Sequence, residues 1–591
     1  MNIPRPEYPR PQFERDAWLN LNGEWSYRLD PGRSGGERGF PESKGFEGRI
    51  MVPFCPESRL SGAAHTDFIE MMWYHREIAV PAGWGGKMIL LHFGGVDYEC
   101  TVYLDGKEAG RHVGGVSPFT VDLTGRAVPG NTHDLVVEVR DDMRGGDQAF
   151  GKQSPRYKSA GCFYTRTTGI WQTVWMEAVH RQGLRSCKTV PDFDRGAFVF
   201  TPVFHGLAQG GTLTVKAVSG GREAAAATVP CANGIPVTLE IPGAVAWEPG
   251  KPFLYDIVYE VRDGAGKVID RVVSYAGLRK IHIEGNRMFL NNRPLFVRFV
   301  LDQGFYEDGI WTAPDDGALK RDIELSMAAG FNGARLHQKI FEERFHYWAD
   351  RLGYLTWAEF PDWGIGFWRY YSEAPLNYYQ GILNYMAEWR TVVERDFNHP
   401  SIIAWTPTNE TSRYMNLAEH RRFVGGIYEL TRALDPTRPV NDSSGYVHVR
   451  TDLWTVHHYS QKADELAAIL KPENQPVYAT APEIELPAYR GQPYIIDEYG
   501  GVKYVPPERG EYADNSWGYG RPSADAAEAF GRIRGLTALL VSMPELGGYC
   551  YTQLTDVEQE QNGIYNYDRT SKFDMEAVSK VFSAKPDWSE Y

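Results

Sequence analysis

The sequence predicts a multidomain β + α/β protein in which two β-sandwiches precede a domain of alternating strands and helices. Three observations carry this expectation. The chain has 591 residues, more than one hydrophobic core organises, so about two to four domains are expected. Its first part is built from short alternating runs with no long helical period. From about residue 278 onward, helical periods alternate with short apolar strands.

Residues 1–180 contain MILLHF (88–93), CTVYLDG (100–106) and DLVVEVRDD (134–142), with Asp105-Gly106 as a hairpin turn. This is the pattern of a sandwich or jelly roll. Residues 181–277 hold a smaller β unit, with TLTVKAV (212–218), PVTLEI (236–241) and LYDIVYEVRD (254–263), about the length of an immunoglobulin-like sandwich. The Gly- and Ala-rich stretch near 219–228 reads as a loop or an edge. In residues 278–591, Leu319, Ile323 and Met327 fall four apart, with Asp315 as cap and Gly330 as stop. Phe345, Trp348, Ala349 and Leu352 share a second helical face. Ile382, Met386, Trp389, Val393 and Phe397 mark a third, and Phe423, Ile427, Leu430 and Leu434 a fourth. Eight strand candidates lie between helices: RPLFVRFV, FNGARLH, YLTWAEF, SIIAW, PVNDS, LWTVHHY, PYIIDEYG and GGYCYTQL. That is the content of a (β/α)8 barrel, with a doubly wound sheet as the alternative. Neither GxGxxG after a strand nor GxxxxGK[ST] occurs, which counts against nucleotide-binding forms.

Composition narrows the partners. A formal net charge of −14 argues against nucleic acid and against an anionic membrane surface. No run of apolar residues is long enough for a membrane-spanning helix, and the N-terminus shows no apolar signal region, so a cytoplasmic location is expected. The six cysteines are scattered without a CxxC pair, as free thiols would be. Aromatic residues make up 13%, enough to furnish stacking faces for sugar rings as well as cores.

Two carboxylates stand where a barrel carries its chemistry, at the C-terminal ends of strands. Glu410 closes SIIAWTPTNE, directly after Asn409, and Glu498 lies in PYIIDEYGG. Glycoside hydrolysis needs two such groups, one protonated to donate to the leaving oxygen and one ionised. In a retaining enzyme they stand roughly 5–5.5 Å apart.

Five blocks resemble glycoside hydrolase family 2, in the family's order from 166 to 501. They are RTTGIWQTVWME (166–177), GLRKIHIEGNRMFLNNRPLFVRFV (277–300), GFNGARLH (330–337), HPSIIAWTPTNE (399–410) and IIDEYGG (495–501). The resemblance implies a jelly-roll sugar-binding domain, an immunoglobulin-like domain and a catalytic TIM barrel, in that order. It implies a retaining exo-β-glycosidase with Glu410 as acid/base and Glu498 as nucleophile. Asn409 would bond the 2-hydroxyl, Tyr459 the nucleophile, and Arg335 would keep the nucleophile ionised. Oligomeric relatives imply a homo-oligomer. No cofactor is expected, and no metal, although some family members place magnesium near the acid/base.

The sugar-reading residues depart from the family pattern. Arg335-Leu336-His337-Gln338 replaces the family's Arg-x-Ser-His, so either His337 or Gln338 fills the role of that His. The first strand ends in Asp302 and Gln303, candidates for binding hydroxyls. Glu359 ends the strand YLTWAEF, and Tyr551-Thr552-Gln553 occupies the region where the family commonly has Trp; Glu359 and Tyr551 are further candidates. Adjacent His457 and His458 face opposite sides of a strand and cannot chelate together; we place His458 among the sugar contacts. Arg166, Tyr164 and Cys162 lie where the first domain reaches over the barrel mouth.

Neutral β-galactosides are the first expectation for the substrate, and β-glucuronides or β-galacturonides the second. A uronide needs a cation for its C6 carboxylate. The Asn-x-Lys pair of family glucuronidases is absent from 552–572, leaving Lys339, Lys503 or Arg569 as substitutes. A β-mannoside or glucosaminide ranks lower. The reading from another class is a non-catalytic carbohydrate-binding protein, which loss of either Glu would have signalled; both are present.

Overall fold

The computed structural model describes residues 3–364, 378–410, 417–445, 447–477, 487–509, 514–586 and 588. In the first β unit, a six-stranded sheet packs on a four-stranded one. Their inward side chains, among them Trp25, Met72, Tyr74, Leu91, Val102, Val137 and Met176, form one buried core. Strand alternation supplies these positions: Cys100, Val102 and Leu104 point inward while Glu99, Thr101 and Tyr103 do not. The hairpin at Asp105-Gly106 forms as expected, with φ of 49° and 77°, the pair of positive values that a type I′ turn requires.

The second unit pairs a three-stranded sheet with a four-stranded one around Phe198, Phe200, Leu213, Val215, Ile257 and Tyr259. The Ala-rich stretch is an edge strand, Arg222–Pro230.

The third part is a parallel, curled barrel. Its strands are β1 (Val297–Asp302), β2 (Gly333–Leu336), β3 (Leu355–Glu359), β4 (Ile402–Thr406), β5 (Trp454–His458), β6 (Tyr494–Gly500) and β7 (Leu546–Thr552), hydrogen-bonded in the order β4-β3-β2-β1-β7-β6-β5. The expected strand PVNDS fills the gap between β4 and β5 with isolated parallel bridges only, Trp405 to Val440 and Asn409 to Ser444. Its Asp442 carboxylate accepts the amides of Ser443, Val449 and Arg450, local bonds that compete with a regular ladder. The first strand also starts later than expected. Arg293–Pro294 belongs to a small sheet with Ile281–Glu284 and Arg287–Leu290. Ile281, Met288 and Leu290 of that sheet close one end of the barrel interior, against Val297, Phe299, Trp357 and Ile403.

The helices follow their sequence signals. α1 (Asp316–Ala328) is capped by Asp315, whose side chain accepts the Ala318 amide, and Gly330 beyond it has φ 99°. α2 (Glu343–Leu352) ends on Gly353 in the left-handed region. Trp389 and Val393 of α3 (Tyr378–Asp396) are buried together with Phe423 and Ile427 of α4 (Leu417–Leu434).

Glu388 of α3 ties the barrel to the first β unit by accepting the Val116 amide at 2.9 Å. Burial pushes its carboxyl up to about 7, and burial does the same to Glu57 in the first unit. Both folded-state values lie above the ordinary 4.5 of an unfolded Glu. Their contribution is therefore complete below that ordinary value and is lost as pH rises through about 7. The thermal midpoint should fall between about pH 5 and 8, and Glu57→Gln should flatten part of that slope. A slope that is the same in the variant would remove Glu57 as a cause.

Candidate active site

Glu410 and Glu498 meet at the C-terminal mouth of the barrel. One oxygen of each, together with a ring nitrogen of His457, all lie within 4.8 Å of one another. That separation belongs to the retaining geometry of roughly 5–5.5 Å and not to the roughly 6.5–9.5 Å of an inverting one.

Glu498 sits on β6 and is 4% exposed. Arg335, on β2 and fully buried, reaches across the barrel mouth and holds it with one nitrogen at 2.8 Å from Oε1. The rest of the same guanidinium bonds Glu359 at 2.7 Å and Asn409 at 2.6 Å. The planar fork thus fixes three strand ends at once. Tyr459 donates to the other oxygen of Glu498 and is stacked on Tyr519, with ring centroids 3.3 Å apart. Burial raises the Glu498 pKa, but the charges of His457, Arg335 and Lys152 outweigh it and bring the group down to about 2. Glu498 is therefore ionised at neutral pH.

Glu410 is half-buried, and its backbone has φ 50°, a left-handed conformation that costs a non-glycine residue about 1–3 kcal/mol. The surroundings hold it there. Its amide donates to Ser444 at 2.8 Å, and its Oε1 lies 2.8 Å from His457 Nδ1. The other face of the imidazole looks at Ser444 Oγ (2.9 Å), Asp497 (3.4 Å) and Glu498 (3.5 Å). Burial would discharge His457, yet the Glu498 and Asp497 carboxylates raise it to about 10. The three groups are thus carboxylates that share a proton-bearing ring, at a spacing an ion could also use.

Between the two alternatives after Arg335, His337 is the one beside Glu498, at 4.0 Å, and it lies 2.8 Å from Glu359. Burial and the charges of Lys152 and Arg335 push its pKa well down, so it is neutral. Gln338 turns to Asp362, at 2.7 Å, and its amide goes to Glu359. Glu359 itself is consumed in orienting Arg335, His337 and Gln338.

Gln303 and Tyr164 join a closed ring of polar side chains. Gln303 bonds Tyr164 (2.7 Å) and Gln553 (2.5 Å), Gln553 bonds Asn562 (2.8 Å), Asn562 bonds Glu560 (3.0 Å), and Tyr164 donates back to Glu560. The ring links the first β unit to the loop after β7.

Four of the candidates lie apart from the two carboxylates. His458 is half-buried and accepts the Ser460 amide, whereas its neighbour His457 faces the carboxylates. Tyr551 packs against Tyr499 and Phe582 in the layer between strands and helices, and Thr552 instead reaches Tyr459, at 3.3 Å. Arg166 binds the carbonyls of Ser154 and Arg156 and covers Phe68, so it shapes the loop of the first unit and touches neither carboxylate. Asp302 takes the Gly304 amide and shares its surroundings with Asp322, Arg569 and Lys339, none of which contacts Glu410 or Glu498.

His457, Glu560 and Lys152 were not among the sequence candidates. Period-2 alternation carries a signal for the first: Tyr459 faces Glu498, so His457, two residues earlier, shares that side. Glu560 lies in the polar run that follows the last strand. Lys152 has no local signal.

Residues 281–507 match a family model described as "Glycosyl hydrolases family 2, TIM barrel domain", and residues 208–279 match "Glycosyl hydrolases family 2". The chain is 24% identical over 456 residues to a β-glucuronidase of Paenibacillus borealis, covering 73% of this chain and 74% of that one. It is also 24% identical over 512 residues to a β-galactosidase of Thermoanaerobacter pseudethanolicus, covering 82% of this chain and 61% of the other. A solved β-glucuronidase from Ruminococcus gnavus, in complex with D-glucuronic acid, superposes with a TM-score of 0.79 at 18% identity over 98% of this chain and 100% of that one.

Proposed function

From the premise that this chain belongs to glycoside hydrolase family 2 and is a retaining exo-acting O-glycosyl hydrolase, we propose that its substrates are β-glucuronides. In this reading Glu498 is the nucleophile and Glu410 the acid/base. The observation that carries it is the approach of the two carboxyl groups to within 4.8 Å, with Glu498 held ionised by Arg335 and His457.

The Glu498 carboxylate attacks C1 while Glu410 gives its proton to the departing glycosidic oxygen, leaving a glycosyl ester on Glu498. The Glu410 carboxylate then takes a proton from water, whose oxygen attacks C1 and releases Glu498. As the ester forms, the nucleophile loses the charge that Arg335 and His457 were balancing. Tyr459 and Arg335 orient the attacking oxygen pair. Asn409, itself fixed by Arg335, is offered to the sugar's 2-hydroxyl.

The preference for glucuronides reverses the order expected from the sequence, where galactosides stood first. It is supported by the β-glucuronidases among the relatives of sequence and fold; one β-galactosidase stands beside them. A panel of nitrophenyl glycosides tests it: β-glucuronide, β-galacturonide, β-galactoside, β-glucoside, β-mannoside and α-L-arabinopyranoside. The β-glucuronide should give the highest kcat/KM, and a β-galactoside turned over tenfold faster would overturn the sugar assignment. Proton NMR of the first product should show the β-anomer; the α-anomer would reject the double displacement.

A further inference from the structure

We propose that Lys152, supplied by the first β unit and not by the barrel, is the specificity-determining residue that pairs with the C6 carboxylate of the bound sugar. This rests on the glucuronide reading above. An anionic group in a closed pocket requires a cation with free donors, because an unpaired buried charge is costly.

The cations expected from the sequence are directed at other acceptors. Lys339 gives its ammonium to the carbonyls of Gly304 and Trp311, at 2.5 and 2.6 Å. Lys503 is turned to the Ser516 carbonyl, at 2.6 Å. Arg569 forks onto Asp322 with two bonds of 3.0 Å and uses its remaining donors on Phe305 and Tyr567. Arg335 is spent on Glu359, Glu498 and Asn409.

Lys152 is different. It is 7% exposed, yet among the described residues its ammonium makes no hydrogen bond and no ion pair. The ammonium stands 4.0 Å over the Trp363 ring, and the indole N–H of Trp363 bonds the Asn409 carbonyl. The cation is therefore on the pocket wall next to the acid/base segment. Its charge is felt at Glu498 and His337, both of which it pushes down. Burial works to discharge Lys152, while the Glu560, Glu498 and Glu410 carboxylates keep it charged. Glu560 already accepts from Tyr164 and Asn562, which leaves the ammonium for an incoming anion.

The position is built in advance. The amides of Phe150 and Gly151 both donate to the Trp363 carbonyl, at 2.7 and 3.1 Å, and the Lys152 carbonyl accepts the Tyr164 amide at 2.8 Å. Gly151 has φ 58°, and a Cβ there would stand 2.5 Å from the Gln338 carbonyl oxygen, so only glycine lets the loop approach this closely.

The test uses the full-length enzyme and two inhibitors that differ only at C6, D-glucaro-1,5-lactone (carboxylate) and D-glucono-1,5-lactone (hydroxymethyl). Inhibition constants are measured for wild type, Lys152→Met and Lys152→Arg, with thermal midpoints to confirm folding. The ratio of the two constants should shift by about 100-fold against the carboxylated lactone in Lys152→Met, the scale of a broken buried charge pair. Lys152→Arg should restore most of it. Equal weakening of both lactones, or of neither, overturns the assignment. If wild type hydrolyses nitrophenyl β-glucuronide and the ratio stays put, only the role of Lys152 falls. If wild type does not hydrolyse it, the glucuronide reading falls and takes this inference with it.

Discussion

Glu498→Ala should reduce kcat on an aryl β-glycoside by about four orders of magnitude or more, because it removes the atom that bonds to C1. Among the described residues, the neighbouring carboxylates are engaged elsewhere: Glu359 is locked by Arg335, His337 and the Gln338 amide, and Asp497 is bonded by Ser444 and faces His457. Glu410→Ala should be as slow on substrates with poor leaving groups, since it removes the group that protonates the departing oxygen. On an activated dinitrophenyl glycoside the first step needs no proton, so the Glu410 variant should accumulate the glycosyl ester. Added azide should then rescue turnover and yield the β-glycosyl azide. The two variants are told apart by product NMR and by the azide response. Near wild-type rates in Glu498→Ala would end the assignment of the nucleophile.

The second large effect is expected at Arg335. Its guanidinium is the common partner of Glu359, Glu498 and Asn409, and it is fully buried. Arg335→Met leaves two buried carboxylates without their cation, a change worth about 3–5 kcal/mol of stability. Urea unfolding should show the loss as a lower midpoint with an unchanged slope. Catalysis should change in a specific direction. Arg335 helps to hold Glu498 at about 2, so without it the Glu498 pKa rises. The nucleophile must be ionised to attack, so the acid limb of kcat/KM should move to higher pH in the variant. Arg335→Lys should not rescue it, because one ammonium cannot reach acceptors on three strands in the geometry of a planar fork. An acid limb that stays in place would separate Arg335 from the nucleophile's charge.

Much of the site could be read from the chain alone. Glu410 and Glu498 end apolar runs followed by polar or glycine residues, which is where a parallel barrel exposes its working groups. The helical stripes of Trp389 and Val393, or Phe423 and Ile427, and the cap at Asp315 formed as their spacing required. The errors cluster where one residue's offset decides which face it serves. Tyr551 and Thr552 are neighbours on β7, so one must pack against Tyr499 and Phe582 while the other reaches Tyr459. His457 and His458 split in the same way, and the alternation from Tyr459 was sufficient to choose between them.

By itself, the sequence determined the order of the β units and the barrel, and the two carboxylates that meet at its mouth, because periodicity and strand ends are local properties. Only the tertiary structure decided which cations are spent and which is free. Lys339, Lys503 and Arg569 are bound by carbonyls and carboxylates brought in by packing, whereas Lys152 reaches the barrel mouth because a glycine loop docks on Trp363. The state of a buried charge depends on what the fold places within a few ångströms of it, and residues far apart in the chain supply those neighbours.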